Sequence, residues 1–239
     1  MSSDRLPGGA VATAIVVAAG SGERLGAGGA KALVEVAGRP MYEWSLIACE
    51  DAARIGQVVI AVPPGEGGSF EVGDAVLVEG GATRSESVAA ALAEAEGEII
   101  AIHDAARPMV TPELFDAAVS ALVGDPDLDG VVVAAPVSDT IKEVSPDGLI
   151  TATPDRERLM AARTPQVFRR EALSRALAGG RLATATDDSS LVEEVGGSVA
   201  VIELPGANPK VTWPEDLDVV EALFERGRGR VADWRVRGC

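Results

Sequence analysis

The sequence predicts a three-layer α/β domain built on a mainly parallel sheet. Short apolar runs alternate with stretches of helical periodicity along most of the 239 residues, which is the pattern of helices covering both faces of such a sheet. Apolar residues make up 47% of the chain and aromatic residues only 3%. The core must therefore be aliphatic, as buried parallel strands require. A chain of this length can bury a substantial core in one domain.

The predicted strands are apolar runs that end at glycine, proline or polar residues. They cover residues 11–18, 57–62, 75–78, 98–102, 130–136 and 198–204. The predicted helices have apolar residues on one face, and two of them have proline in the first turn. They cover residues 41–54, 84–95, 111–123, 170–178, 187–195 and 214–225.

The alternation is interrupted at residues 137–152, where two alternating stretches around Pro146-Asp147-Gly148 predict a β-hairpin. No linker or internal repeat divides the chain, so we expect a single domain over residues 1–225 with an arm inserted at about 137–155. The arginine-rich residues 226–239 break the pattern, and we expect them to form a disordered tail.

The formal net charge of −16 argues against nucleic acid or an anionic membrane as partner. No apolar run approaches the ~20 residues that cross a bilayer, and the start, MSSDRLPGGA, does not resemble a signal peptide. We therefore expect a cytoplasmic protein that acts on small molecules. An anionic ligand would have to be held by a local cluster of cations.

Lysine is rare in this chain. Of the 21 basic residues only Lys31, Lys142 and Lys210 are lysines, which is consistent with lysine being kept where a compact, mobile ammonium is needed. His103 is the only histidine. The two cysteines, Cys49 and Cys239, do not form a disulfide framework or a metal site.

A glycine-rich loop, AAGSGERLGAGGAK, follows the first predicted strand. It is not a dinucleotide-binding loop, because Leu25 stands where the third glycine belongs. It is not a P-loop either, because Lys31 lies between two alanines. Its backbone amides can still point at anions, and Arg24 and Lys31 add positive charge. This combination suits a triphosphate, in which transfer at one phosphorus builds up negative charge.

Six further motifs follow the loop in order: GGATRSESV, HDAARP, APVSDTIK, RTPQVF, TDDSSLVE and NPKVTWPEDL. With the loop, they resemble the 2-C-methyl-D-erythritol 4-phosphate cytidylyltransferases over about residues 12–224. The resemblance implies a Rossmann-like nucleotidyltransferase domain. It also implies cytidylyl transfer from CTP to 2-C-methyl-D-erythritol 4-phosphate, with Mg²⁺, in the non-mevalonate route to isoprenoid precursors.

The resemblance also implies which residues act. Arg24 and Lys31 would grip the triphosphate, and Arg156 and Lys210 would hold the incoming phosphate, which makes these the expected catalytic residues. Asp104 would face the acceptor or Mg²⁺, with the ion held mainly by the CTP phosphates. The expected substrate-binding residues are Ala18, Ala19, Gly20, Gly22, Gly81, Ala82, Ser87, Asp104, Ala105, Arg107, Thr140 and Thr164.

Two positions depart from the pattern of the family. Ala30 stands where the family usually has proline, and Ala82 where it often has an acidic residue. His103 is interpreted as structural, and Lys142 as a supporting residue. The arm at 137–155 resembles the one with which such enzymes pair two subunits, so we expect a homodimer.

Other functions stay open at this point. A cytidylyltransferase for another polyol phosphate, such as ribitol 5-phosphate, would share the loop and the fold. A sugar-1-phosphate uridylyl- or guanylyltransferase is disfavoured by HDAARP and TPQ. A catalytically inactive nucleotide-binding regulatory module would lack some of the cations Arg24, Lys31, Arg156 and Lys210, all of which are present.

Overall fold

A computed structural model describes residues 12–26, 28–179, 185, 187–203, 208–227 and 235–236. The strands are β1 (Ala12–Val17), β2 (Glu35–Val36), β3 (Arg39–Pro40), β4 (Ile55–Val62), β5 (Val76–Glu79), β6 (Ile99–Asp104), β7 (Gly130–Pro136), β8 (Glu143–Val144), β9 (Ile150–Ala152), β10 (Met160–Arg169), β11 (Val199–Glu203) and β12 (Arg235–Val236). The helices are α1 (Met41–Glu50), α2 (Arg84–Glu94), α3 (Pro112–Gly124), α4 (Arg170–Ala178), α5 (Asp188–Glu194) and α6 (Pro214–Glu225).

The main sheet of the described residues contains eight strands in the order β12-β11-β7-β10-β6-β1-β4-β5. Strand β1 pairs in parallel with both β4 and β6, and β11 pairs in parallel with β7. Strands β10 and β12 are antiparallel to their neighbours. The predicted α/β fold with a mainly parallel sheet is therefore confirmed.

Alternating residues of the central strands face two separate helical layers, as the period of two in a strand requires. Ala14 and Val16 of β1 belong to the apolar cluster that contains α1 and α3. Ile15 of the same strand belongs to the cluster that contains α2, α4 and α5. The three-layer arrangement follows from these two clusters. Most of the core side chains are Ala, Val, Leu or Ile, in agreement with the aliphatic core expected from composition.

Strand β10 is absent from the sequence prediction. Its first half is exposed or only partly buried, and it contains Pro165, which argues against a central strand. The structure accommodates the proline at an irregularity, because the pairing of β10 with β7 shifts register between Ala162 and Gln166. A proline at such a point takes no ladder hydrogen bond away from the sheet.

Helix boundaries agree with the prediction to within a few residues, apart from α1. That helix ends at Glu50 instead of residue 54. Helix α2 begins with a capping box: the Thr83 side chain accepts a hydrogen bond from the Glu86 amide, and the Glu86 carboxylate accepts one from the Thr83 amide. This cap stabilises the first turn of α2 and so holds the backbone of Arg84, the first residue of the helix.

The hairpin at 137–152 is present as the antiparallel pair β8 and β9. Its apolar side chains Val144, Leu149 and Ile150 are 61%, 66% and 63% exposed. Strand β10 follows the arm directly and runs from it into the middle of the main sheet. The arm is thus a projection with an apolar surface on a rigid base.

The single domain over residues 1–225 stays a prediction, and residues 1–11 lie outside the described residues. Most of the tail predicted at 226–239 also lies outside them, although β12 pairs with β11. No described helix has the length and apolar character needed to span a membrane.

Candidate functional site

A cleft of about 620 Å³ opens at the carboxyl ends of β1, β5 and β6. Ligands of open α/β sheets bind at this edge. Three segments of chain meet there, namely the glycine loop, the start of α2 and the turn after β6, and residues 210 and 212 join them from the segment before α6. The cations that line the cleft are Arg24, Lys31, Arg84 and Lys210, and the carboxylates are Glu23 and Asp104.

The glycine loop is folded back on itself beside the cleft. Gly22 and Gly26 have φ of 69° and 68° on either side of a short turn, Glu23–Leu25, a backbone conformation that favours glycine. The Lys31 amide donates a hydrogen bond to the Gly20 carbonyl at 3.0 Å and closes the loop. Leu25 is buried in a small apolar cluster with Val36, Met41, Val211 and Val220. This contact ties the loop to α6.

Lys31 carries an unusual ammonium group. Burial lowers the pKa of Lys31 to about 8, and the neighbouring cations Lys210 and Arg24 contribute to the shift. Asp104 and Asp216 partly oppose it. Neighbouring cations repel each other, and an anion bound between them offsets this repulsion. The arrangement therefore favours binding of a multiply charged anion.

Arg24 projects from the loop and is exposed. Its guanidinium carbon lies 5.9 Å from the centre of the Trp213 ring, within the range of a cation–π contact. Trp213 precedes α6, and Asp216 accepts hydrogen bonds from the amides of Thr212 and Trp213 at 2.7 and 2.8 Å. The start of α6 thus supports the position of Arg24.

Asp104 ends β6 at the floor of the cleft and is 8% exposed. One carboxylate oxygen accepts a hydrogen bond from Arg84 Nε at 3.0 Å, and the other accepts one from Lys210 Nζ at 2.7 Å. Burial alone would raise the pKa of the Asp104 carboxyl, but Arg84 and Lys210 hold it well below its usual range. Asp104 is therefore ionised at neutral pH.

Behind Asp104 lies a network of buried polar groups. The Thr164 hydroxyl accepts a hydrogen bond from the Asp104 amide at 3.2 Å and lies 2.9 Å from Nδ1 of His103. His103 is fully buried, and burial lowers its pKa to about 3. A histidine that stays neutral and packs edge-on against Phe115 fits the structural role expected for it.

The segment that carries Lys210 is fastened to the turn after β6. Arg107 donates a hydrogen bond to the Asn208 carbonyl at 2.9 Å, and the Val211 amide donates one to the Ala106 carbonyl at 2.8 Å. The Asn208 side chain donates to the Thr164 carbonyl at 3.2 Å. Arg107 and Thr164 therefore brace the Lys210 segment from behind the cleft.

The turn before α2 forms the opposite wall. The Ser87 hydroxyl accepts a hydrogen bond from the Gly81 amide at 3.1 Å and donates one to the Thr83 carbonyl at 2.9 Å. A Cβ atom added at Gly80 would lie 2.8 Å from the Cβ of Ala19, which is closer than packed atoms approach. Glycine at this position therefore lets the wall lie directly against the end of β1.

The expected site residues all line this cleft except Arg107, Thr140, Arg156 and Thr164. Arg107 and Thr164 lie behind it, in the network described above. Thr140 and Arg156 belong to the exposed arm. Arg156 donates a hydrogen bond to the Ser138 carbonyl at 3.0 Å and lines a separate depression. Within one chain, Arg156 is therefore not brought together with Arg24, Lys31 and Lys210.

The sequence prediction also omitted a residue of the cleft. Arg84 lines it and contacts Asp104, but was not assigned a role. The available signal was its position, because a cation directly after the small residues of GGAT must lie near whatever that segment binds.

The acidic residues of the cleft do not make a complete metal site. Among the residues that the structure describes, no group of three or more His, Cys, Asp or Glu side chains is arranged to hold an ion. Asp104 supplies one carboxylate. A divalent cation here would need most of its oxygen ligands from elsewhere.

We expect Ala30→Pro to stabilise the protein. Ala30 has a φ of −55°, which proline adopts without strain, and the preceding residue is glycine. Restriction of the unfolded chain should raise the free energy of unfolding by about 0.4–1 kcal/mol, measured by urea denaturation. Ala37→Pro is the control: Ala37 has a φ of 50°, so the same change should destabilise there. A loss of stability in Ala30→Pro would contradict the expectation.

Comparison with known proteins agrees with this geometry. The family model for 2-C-methyl-D-erythritol 4-phosphate cytidylyltransferase matches residues 12–226. A protein of that name from Frankia casuarinae is 43% identical, covering 89% of this chain and 81% of its own length. Another, from Symbiobacterium thermophilum, is 40% identical, covering 88% and 92%.

Solved structures give the same result. The 2-C-methyl-D-erythritol 4-phosphate cytidylyltransferase of Thermus thermophilus superposes with a TM-score of 0.75 at 34% identity, covering 90% of this chain and 99% of that one. The 4-diphosphocytidyl-2C-methyl-D-erythritol synthase of Anaerococcus prevotii gives a TM-score of 0.77 at 26% identity, covering 91% and 97%. The chain belongs to the 2-C-methyl-D-erythritol 4-phosphate cytidylyltransferase family.

Proposed function

We propose that this protein transfers the cytidylyl group of CTP to 2-C-methyl-D-erythritol 4-phosphate and releases pyrophosphate, in the non-mevalonate route to isoprenoid precursors. The observation that carries the proposal is the cluster of Arg24, Lys31 and Lys210 around one cleft, in a chain whose net charge is −16. Such a concentration of cations in an acidic protein is a site for a polyanion.

The chemistry needs positioning and charge stabilisation more than a base. A phosphate oxygen of the acceptor attacks the α-phosphorus of CTP in line, and the bond to the β-phosphate oxygen breaks. The attacking oxygen is already anionic, so no side chain has to remove a proton. Arg24 and Lys31 act on the triphosphate side, where charge increases at the phosphorus. Lys210 acts at the junction with the acceptor.

The wall formed by Gly80, Gly81 and Ala82 is the proposed site of the cytosine and ribose. Its small residues and backbone groups allow a base to approach edge-on, and Ala18 and Ala19 line the same cleft beside it. The Ser87 hydroxyl donates to one backbone group of this wall and accepts from another. Ser87 thus shapes the pocket and keeps one acceptor lone pair for the substrate.

Magnesium fits this cleft as an ion carried mainly by the nucleotide. Asp104 is the residue that would share it, and the triphosphate oxygens would supply most of the remaining ligands. Both Asp104 oxygens accept hydrogen bonds from cations, and each keeps a further lone pair that could contact the ion. The ion would add positive charge beside the reacting phosphorus.

A homodimer would explain the position of Arg156. The arm carries the exposed side chains Val144, Leu149 and Ile150, which a second copy of the chain would cover. In a twofold dimer each arm reaches the other subunit, and each site receives the same residues. Arg156 and Thr140 would then face the acceptor phosphate of the partner's cleft.

A cytoplasmic location stays a prediction, whereas 2-C-methyl-D-erythritol 4-phosphate as the acceptor is supported by the family to which the chain belongs. A cytidylyltransferase for ribitol 5-phosphate would use the same cations. An inactive regulatory module would bind CTP without turnover. Neither alternative is favoured by a particular contact in the structure.

The deciding experiment measures pyrophosphate release from CTP with three acceptors: 2-C-methyl-D-erythritol 4-phosphate, ribitol 5-phosphate and none. We expect turnover with the first and little with the others. Equal or faster turnover with ribitol 5-phosphate would refute the proposed acceptor. Absence of turnover with both acceptors, together with CTP binding, would favour the regulatory module.

The pH dependence of activity should reveal the ionisation of Lys31. Because its pKa is about 8 in the free protein, the fraction of charged ammonium falls as the pH rises through that value. We expect kcat/KM for CTP, which reports the free enzyme, to decline above about pH 8. The phosphates are already fully ionised there. In Lys31→Arg the guanidinium keeps its charge, so any remaining activity should lack this decline. If kcat/KM of the variant still declines above about pH 8, the decline belongs to another group.

Subunit mixing tests the role of the arm. Arg156→Ala and Lys31→Ala should each be nearly inactive alone. If Arg156 works in the partner's cleft, one site of every mixed dimer contains both wild-type residues, and an equal mixture should recover about one quarter of wild-type activity. Refolding the two variants together permits the exchange. A mixture no more active than its components would place Arg156 outside the partner's site.

A further inference from the structure

Arg84 is a residue of the cleft to which the proposed function assigns no task. It is the first residue of α2, and only Thr83 separates it from the wall formed by Gly80, Gly81 and Ala82. Its side chain lines the cleft but is only 26% exposed. An arginine so placed either binds the ligand itself or holds another group that does.

The hydrogen bonds of Arg84 decide between these roles. Its Nε donates to an Asp104 oxygen at 3.0 Å, and its Nη1 donates to an Asp188 oxygen at 2.7 Å. One guanidinium thus spans two carboxylates, at the end of β6 and in the first turn of α5. The planar fork of arginine can do this, whereas the ammonium of lysine is a single point charge. Two carboxylates already neutralise most of the positive charge of Arg84, so Arg84 is poorly suited to bind a phosphate directly.

Asp188 gives Arg84 a fixed anchor. The residue is fully buried, and its other carboxylate oxygen has no hydrogen-bond partner among the described residues. A buried carboxylate is costly without a cation, so the contact with Arg84 must persist. The helix that carries Asp188 is held in turn by Asp187, which accepts a hydrogen bond from Gln166 of β10 at 2.8 Å.

The contacts extend from Arg84 to a residue expected to be catalytic. Asp104 is held by Arg84 through one oxygen and holds Lys210 through the other, at 2.7 Å. Lys210 is 40% exposed and points into the cleft. The acidic and basic side chains of Asp188, Arg84, Asp104 and Lys210 therefore form an alternating hydrogen-bonded chain that runs from the core to the cleft.

We propose that Arg84 is a positioning residue, which fixes Asp104 and through it the ammonium of Lys210 for phosphate transfer. The inference rests on the proposed function, since Lys210 acts in that reaction. It goes beyond it by assigning the α2–α5 contact a part in catalysis. Removing a residue that orients a metal ligand costs about 10- to 100-fold in activity, and by analogy we expect a loss of that order here.

The test compares Arg84→Met with the double variant Arg84→Met/Asp188→Asn. The single change leaves Asp188 buried and unpaired, so it should destabilise the fold as well as lower activity. The double change removes both charges of the pair, so the free energy of unfolding should recover much of that loss. If Arg84 positions Asp104, the double variant should still show a kcat reduced by about 10- to 100-fold, with a smaller change in KM for CTP.

The outcomes separate the inference from a purely structural role. A double variant with kcat within about twofold of wild type, or one with a raised KM and unchanged kcat, would overturn the inference. A wild-type protein without turnover would refute the proposed function instead, so the two failures are distinguishable. Urea denaturation of each variant shows whether kcat is measured on folded protein.

Arg170 provides the matched control. It also donates to several acceptors, the carbonyls of Leu92, Ala95 and Gly97, but these lie near the other end of α2, away from the cleft. Arg170→Met should lower stability because those carbonyls lose their donor, while kcat of the folded protein stays at the wild-type value. A fall in kcat equal to that of Arg84→Met would show that general loosening, and not the contact with Asp104, controls the rate.

Discussion

The shared carboxylate of Asp104 is the interaction on which the site depends. The chain has 37 acidic residues and 21 basic ones, so its few clustered cations repel each other in a protein that is otherwise negative. Asp104 lies at the floor of the cleft and offsets this repulsion, because one of its oxygens contacts Arg84 and the other contacts Lys210. The upper side of the cleft stays open and positive. A polyanion can therefore enter without first displacing a protein carboxylate from every cation.

The fold creates this arrangement by bringing distant segments to one sheet edge. Parallel pairing of β1 with β6 places the glycine loop beside Asp104. The antiparallel strand β10 pairs with the other edge of β6 and supplies Thr164 and Gln166. Thr164 then holds the Asp104 amide, and Gln166 holds the turn into α5. A wholly parallel sheet would end all its strands at the same edge. The reversed strand instead carries the chain from the arm down into the core.

The sequence predicted the parts of the fold that local patterns determine. Buried runs such as that of β1 and capped starts such as that of α2 are visible in a few consecutive residues. Strand β10 was missed because it contains Pro165 and because its first half, residues 160–164, lacks an alternating apolar pattern. Only pairing on both sides makes it a strand. The cations of the loop were found from composition and motif. The partnership of Arg84 with Asp188 spans 104 positions, and no local pattern records such a contact. The place of Arg156 on the arm likewise depends on how the chain folds.

The contact of the glycine loop with α6 has an optical consequence. The chain has three tryptophans, and both that the structure describes lie beside α6. Trp44 stacks near Phe224, with ring centres 4.8 Å apart, while Trp213 lies under the guanidinium of Arg24. Indole emission from these two residues therefore reports the seam between the loop and the last helix, and carries little information about the aliphatic sheet. Emission from these two tryptophans will follow the surroundings of the glycine loop, whereas the backbone signal of circular dichroism is needed to follow the core.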